Sequence, residues 1–164
     1  MSQISQAANA TNPIQAVAFE FEVCARRAIE CLLNLPTLSF KGFGTHTLFP
    51  VEPEVRCTIE CANRAHSMVI SLGLSSNDLK HLLSGKRNAH LALDAILEVL
   101  NITAGRLFVC PAFTSRFGYM CPSVPSLYSP RLDMAQAEVL RGVLLAGAAH
   151  LFMELRASRI IGER

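Results

Sequence analysis

Apolar side chains recur at helical spacing in two long stretches of the chain and alternate with polar ones between them. The first stretch opens at Asn12, a capping residue followed by proline, and should end before Pro36. Residues 37–74 alternate instead, which predicts strands, with a turn at Asn63 and Arg64. This pattern predicts an N-terminal helix followed by a β region.

The second helical stretch, Leu91 to Leu107, has two distinct faces. Its apolar face consists of Leu93, Ile96, Leu97, Leu100 and Ala104. Its second stripe, one position further along, consists of Asp94, Glu98, Asn101 and Gly105. The spacing of three between Glu98 and Asn101 places their Cβ atoms roughly 5–6 Å apart on one helix face. Gly105 continues this face and, having no Cβ, leaves room for another backbone to approach.

The C-terminal third gives a weaker signal. Its prolines allow only short or edge strands, and residues 108–117 are interpreted as the frayed end of the helix and a loop. Residues 134–146 contain good helix formers, so local propensity favours a helix there. Residues 150–156 alternate and predict a strand. The pattern alone leaves residues 134–146 open between helix and strand.

Length and charge narrow the class of protein. The chain has 164 residues and a formal net charge of +2, which predicts one domain over residues 12–164 behind a mobile polar tail at 1–11. Scattered positive charges predict no nucleic-acid or membrane-binding patch. No signal peptide and no apolar run of the ~20 residues needed to span a bilayer is visible. A cytoplasmic protein is therefore expected.

The six cysteines and five histidines do not predict a metal site. No Cys-x-x-Cys is present, and no histidine stands at ligand spacing from a cysteine pair. In a reducing compartment, buried reduced thiols that act as small apolar side chains are the better interpretation.

Glu98 and Asn101 are the candidate chemical pair. A carboxamide both donates and accepts hydrogen bonds, so it can hold and orient one water molecule, while a carboxylate can bind a lysine or act as a base. Phosphoryl hydrolysis depends mostly on such positioning. The alternative is that both side chains merely solvate a helix surface, since Glu-x-x-Asn also occurs by chance. It does so at Glu60 to Asn63.

The run Leu-Ala-Leu-x-Ala-Ile-x-Glu-x-x-Asn-x-Thr-Ala-Gly-x-Leu at residues 91–107 resembles the signature helix of the CheC/CheX/FliY-type chemotaxis phosphatases. The resemblance extends loosely over residues 12–157 and is closest to the CheX branch, which has one such site where CheC usually has two. Two features depart from the family: Leu97 stands where the family usually has glycine, and the glycine-rich hairpin is replaced by residues 61–64.

The resemblance implies an α/β (α+β) fold in two layers, an antiparallel or mixed sheet with long helices on one face, and strands over residues 134–146. It implies hydrolysis of the aspartyl phosphate of a CheY-type receiver domain. Asn101 would orient the water, Glu98 would pair with a receiver lysine, and we infer that Asp94 and Gly105 border the contact. Mg²⁺ would come from the receiver, the chain would need no cofactor of its own, and a homodimer is expected. The alternative function is a non-catalytic module that binds a receiver or another signalling partner.

Overall fold

The computed structural model describes residues 12–83, 89–127, 134 and 136–160, so the predicted mobile tail at 1–11 lies outside it. The described residues form four α-helices and six strands. In chain order the elements are α1 (Ala18–Leu33), β1 (Thr37–Gly44), β2 (Val55–Ala62), β3 (His66–Leu74), α2 (Ser76–Leu83), α3 (Ala89–Phe108), α4 (Pro111–Phe117), β4 (Cys121–Pro122), β5 (Glu138–Ala146) and β6 (Ala149–Arg159).

All six strands belong to one sheet in the order β1-β5-β6-β3-β2-β4, and every described pairing is antiparallel. Two hairpins, β2–β3 and β5–β6, supply its central part. The N-terminal strand β1 pairs with β5 near the other end of the chain, with Thr37 opposite Ala146. The predicted α+β class is confirmed, and the sheet is antiparallel rather than mixed.

The core lies between one sheet face and the helices. Alternate residues of β6, namely Leu151, Met153 and Leu155, are fully buried on this face. They belong to one apolar cluster with side chains from α1, α3 and α4, including Phe21 of α1 and Leu100 of α3, and partly buried leucines of α2 pack against this cluster. Because strand side chains alternate between faces, this arrangement gives the two-layer architecture that was predicted.

The ends of α1 follow local chemistry. Asn12 caps the turn that comes before α1, because its Oδ1 accepts the Ile14 N–H at 3.0 Å. A 3-10 turn at Gln15–Val17 then leads into the helix. At the other end Asn34 adopts a left-handed conformation with φ of 52°. The helix therefore ends at Leu33, close to the predicted stop before Pro36.

The C-terminal region confirms one interpretation and corrects another. Strands β5 and β6 show that the described part of residues 134–146 is strand, as the family resemblance implied and local propensity did not. The expectation of a frayed end and loop over residues 108–117 is wrong, because residues 111–117 form α4. Pro111 occupies its first turn, where a missing N–H costs nothing, and Phe113 and Phe117 anchor it in the core.

The outer face of the sheet carries a buried carboxylate. Glu154 is 1% exposed and accepts hydrogen bonds from Nε of Arg141 and Nε of Arg156, both at 2.7 Å. Arg56 lies 3.8 Å away. Burial acts to raise the pKa of Glu154, but the hydrogen bonds and charges of Arg156 and Arg141 outweigh it and hold that pKa below its usual value.

Asp78 joins helix α2 to the start of β6. Its carboxylate accepts the backbone N–H of His150 at 2.9 Å and the hydroxyl of Ser75, whose oxygen in turn accepts the Asp78 N–H at 3.1 Å. The helix cap and a contact between distant elements thus share one carboxylate. Burial acts to raise the pKa of Asp78, and these hydrogen bonds with His150 and Ser75 lower it below its usual value.

We expect Asp78→Ala to lower the free energy of unfolding by about 1–2 kcal/mol, because the substitution removes the acceptor of both the part-buried His150 N–H and the Ser75 hydroxyl. Urea unfolding followed by circular dichroism measures the loss. Asn77→Ala, an exposed change on the same helix, is the matched control. Equal effects of the two substitutions would contradict the role given to Asp78.

The cysteines only partly follow the predicted pattern. Cys57 and Cys61 are buried, and burial raises the pKa of their thiols to about 11 and about 12. Cys31 and Cys121, however, are exposed, so the expectation of buried thiols is wrong for these two. All six thiols are free, and the two buried ones act as small apolar side chains, as predicted.

Across the described segments no individual helix combines the length and apolarity that a membrane span requires. Only Leu93–Phe108 together with Pro111–Phe117 meets the criteria of length and composition, as a pair bent by 75°.

Candidate functional site

Helix α3 fixes the candidate pair by anchoring its opposite face. Ile96, Leu100 and Ala104 are almost completely buried against α1 and the sheet. With this face held in the core, Glu98 and Asn101 lie exposed on the outside of the helix. Asn101 Nδ2 lies 3.4 Å from Glu98 Oε2, which confirms that the two side chains are neighbours.

The contact between Glu98 and Asn101 leaves most of their polar capacity unused. At 3.4 Å it is longer than an ordinary N–H···O hydrogen bond. Among the described residues, Asn101 makes no other side-chain hydrogen bond, so its carboxamide oxygen and second N–H face solvent. A water molecule bound there can be held by one donor and one acceptor at the same time.

A shallow groove of about 250 Å³ adjoins the pair. Its lining consists of Asp94, Leu97, Glu98, Asn101, Val124 and Pro125. The last two come from the segment after β4, which two hydrogen bonds of 2.8 Å between Thr58 and Ser126 tie to β2. The side chain of Val124 is 85% exposed, so it projects beside the pair rather than into the core.

Val124 and Pro125 were not predicted as site residues. Their approach to α3 depends on the pairing of β4 with β2, more than fifty residues earlier in the chain. The sequence contains one signal for this segment: the run Pro-Ser-Val that begins at Pro122 falls in a similar place in the CheC/CheX/FliY-type proteins that the chain resembles. That similarity indicates a shared segment without indicating what the segment contacts.

The groove carries negative charge. Asp94 and Glu98 both line it, and none of its described lining residues is lysine or arginine. A partner that offers a cationic side chain is therefore favoured here. Among the described residues, no group of three or more His, Cys, Asp or Glu is arranged to bind a metal ion.

Gly105 continues the exposed stripe one turn beyond Asn101. A Cβ built on it meets nothing within 4 Å, so the chain's own packing does not require glycine at this position. What glycine provides is an open surface beside Asn101, where an approaching backbone finds no side chain.

Leu97 has a mixed environment. It is half-buried, packs against the core cluster and also lines the groove beside Glu98. Leu93 is half-buried as well, so the predicted apolar face is fully enclosed only at Ile96, Leu100 and Ala104. A leucine at position 97 narrows the groove where the family usually has glycine.

No protein-family model and no curated protein matches the sequence. Solved structures do. A CheC-like superfamily protein from Shewanella superposes with a TM-score of 0.68 at 9% identity, over 87% of this chain and 97% of that one. The chemotaxis protein CheX from Vibrio vulnificus superposes with a TM-score of 0.65 at 12% identity, over 90% of this chain and 98% of that one. CheX in a complex from Borrelia burgdorferi superposes with a TM-score of 0.62 at 11% identity, over 85% of this chain and 97% of that one.

The architecture is thus an α+β fold in which one antiparallel sheet carries its helices on one face. More narrowly, it is the fold of the CheX and CheC-like chemotaxis proteins, as the sequence resemblance implied.

Proposed function

We propose that the chain is a phosphatase that hydrolyses the aspartyl phosphate of a CheY-type receiver domain. Asn101 orients the attacking water, and Glu98 pairs with a lysine of the receiver. Asp94 and Gly105 border the contact. The P–O bond to the receiver aspartate breaks, the water oxygen becomes part of inorganic phosphate, and the aspartate carboxylate is regenerated.

One observation carries this proposal: Glu98 and Asn101 are exposed side by side on a helix whose other face is locked in the core. A rigid helix can insert a carboxamide into a partner's site without reordering itself. Hydrolysis of a phosphoryl group requires little more from the protein than positioning and charge stabilisation. An exposed amide with free donor and acceptor capacity supplies the positioning.

The partner and the metal follow from the same proposal. The structural neighbour from Borrelia burgdorferi is a complex of CheX with CheY, BeF3 and Mg²⁺. A receiver that brings its own Mg²⁺ stabilises the charge on the phosphoryl group, so this chain needs no metal site of its own. We also propose a cytoplasmic homodimer whose interface leaves the α3 groove open.

A second candidate is a non-catalytic module that binds a receiver through the same groove. The specific observation in its favour is Leu97, whose side chain lies beside Glu98 where the family usually has glycine. If the Leu97 side chain blocks close approach of the receiver to Asn101, the receiver still binds but its aspartyl phosphate is not hydrolysed.

The test is the decay of a phosphorylated receiver from the same organism, with and without the purified chain. Faster release of inorganic phosphate supports the phosphatase. Binding to a BeF3-loaded receiver without accelerated decay supports the binding module instead. In that case Leu97→Gly is the variant to assay next, because it removes the side chain that narrows the groove.

Glu98→Gln separates charge from shape. The substitution keeps the size of the side chain but removes the negative charge, so we expect affinity for the receiver to fall about tenfold. The affinity that remains should depend less on salt than that of the wild type, because the screened ion pair is gone. Titration calorimetry at several salt concentrations measures both. Glu30→Gln, an exposed carboxylate on α1, is the control. An unchanged salt dependence would refute the lysine pairing.

A further inference from the structure

A second cavity lies at the end of the helix–sheet interface, away from the α3 groove, with a volume of about 460 Å³. It is lined by Pro13, His66, Arg116, Phe117, Gln136, Glu138, Ala157, Ser158 and Arg159. This volume is within the range of sites that hold small organic molecules. The function proposed above makes no use of it.

The sheet register explains why these residues meet. His66 pairs with Arg159 across β3 and β6, and Glu138 pairs with Ala157 across β5 and β6. Residues directly opposite each other in an antiparallel sheet point to the same face. Here it is the helix-covered face, since His66 packs edge-on against Phe117 of α4 with ring centroids 5.5 Å apart. The cavity is therefore built by four elements that are fixed in the core.

Its floor is apolar and its rim is charged. Phe117 and Ala157 are 4% and 6% exposed and form a buried apolar surface. Arg116, Arg159 and Glu138 are exposed at the rim, and none of the three forms an ion pair with another described residue. Two guanidinium groups and one carboxylate give the rim a net positive charge. Arginine presents its N–H groups in a planar fork that matches carboxylate and phosphate oxygens.

We propose that this cavity binds a small amphiphilic anion, a carboxylate or phosphate monoester attached to an apolar or aromatic body. The body would rest on Phe117 and Ala157, and the anionic group would bind Arg116 and Arg159. The proposal is independent of the phosphatase activity, because the two sites share no residue.

The probes are benzoate and phenyl phosphate, which share an aromatic body and differ in the anionic group. Titration calorimetry on the full chain should show saturable one-to-one binding of at least one of them. Arg159→Gln and Arg116→Gln should each weaken this binding about tenfold, as loss of a charge-assisted contact does. Arg27→Gln, an exposed arginine on α1, should leave it unchanged.

Three results would overturn the proposal. The first is absence of saturable binding of both probes up to about 10 mM, a concentration that reveals even weak sites. The second is equal binding by all three arginine variants, which would place the probes elsewhere. The third is equally tight binding of inorganic phosphate, which would show that the apolar floor contributes nothing. Circular dichroism and thermal unfolding of each variant verify that a loss of binding is not a loss of fold.

Discussion

Asn101→Ala should reduce receiver dephosphorylation to the rate of the receiver alone, a loss of about 100-fold or more, while docking remains largely intact. The reason is geometric: the carboxamide is the group that holds the attacking water, and general experience with positioned groups gives losses of about 10²–10⁴. One small exposed side chain contributes little to the area of an interface. The measurement is phosphate release, with affinity for the BeF3-loaded receiver determined in parallel.

Two comparisons make this result specific. Asn77→Ala removes an exposed asparagine from helix α2 and should leave both measurements unchanged. The double variant Asn101→Ala with Glu98→Gln should also be measured. Expressed as free energies, its loss of dephosphorylation activity should be smaller than the sum of the losses of the two single variants, because each side chain acts only when the other has placed the partner. Near-wild-type turnover by Asn101→Ala would refute the proposed mechanism and favour the binding module.

Glu154→Gln should lower the free energy of unfolding by about 2–4 kcal/mol at pH 7, since it leaves three arginines around a buried group that no longer carries charge. The melting temperature should fall by about 5–15 °C for a chain of this size. Glu52→Gln is the matched control, because Glu52 also pairs with Arg56, at 3.6 Å, but its side chain is 85% exposed. Its effect should stay within about 0.5 kcal/mol.

The pH dependence of this stabilisation follows from the direction in which the pKa of Glu154 is shifted. The pKa of Glu154 is lower in the folded state than in the unfolded one. The stabilisation is therefore fully present above the unfolded-state pKa and is lost as pH falls through the folded-state pKa. The unfolding free energies of wild type and Glu154→Gln should converge on acidification from pH 7 to about pH 3. If the difference between the two unfolding free energies stays constant over this pH range, the stabilising role given to the charge of Glu154 is refuted.

Periodicity predicted the parts of this molecule that local spacing determines. The apolar stripe of α3 fixes which face is buried, so the exposure of Glu98 and Asn101 follows from a count of residues. The alternation over residues 37–74 likewise predicted β1, β2 and β3. In these segments the local pattern and the tertiary contacts select the same structure.

Local sequence patterns are insufficient where distant contacts determine the structure. Residues 138–146 have helix-forming side chains, yet they form β5 because they are enclosed between β1 and β6. Residues 111–117 form α4 because two phenylalanines pack into the core. The placement of Val124 beside Asn101 and the arginines around Glu154 both require the strand register, which no local pattern contains.

The strand order constrains how the chain can be assembled in time. The C-terminal hairpin lies between two strands that are made long before it. Its strand β5 pairs with β1, where Thr37 lies opposite Ala146, and its strand β6 pairs with β3, where Met68 lies opposite Ala157. Until that hairpin is synthesised, the edge of β1 that pairs with β5 and the edge of β3 that pairs with β6 have no partner. Contacts so distant in sequence slow folding and leave open edges that can pair with other chains. A nascent or truncated chain that ends before β5 therefore leaves these two edges open to other chains, whereas a chain that includes β5 and β6 pairs both edges within the molecule.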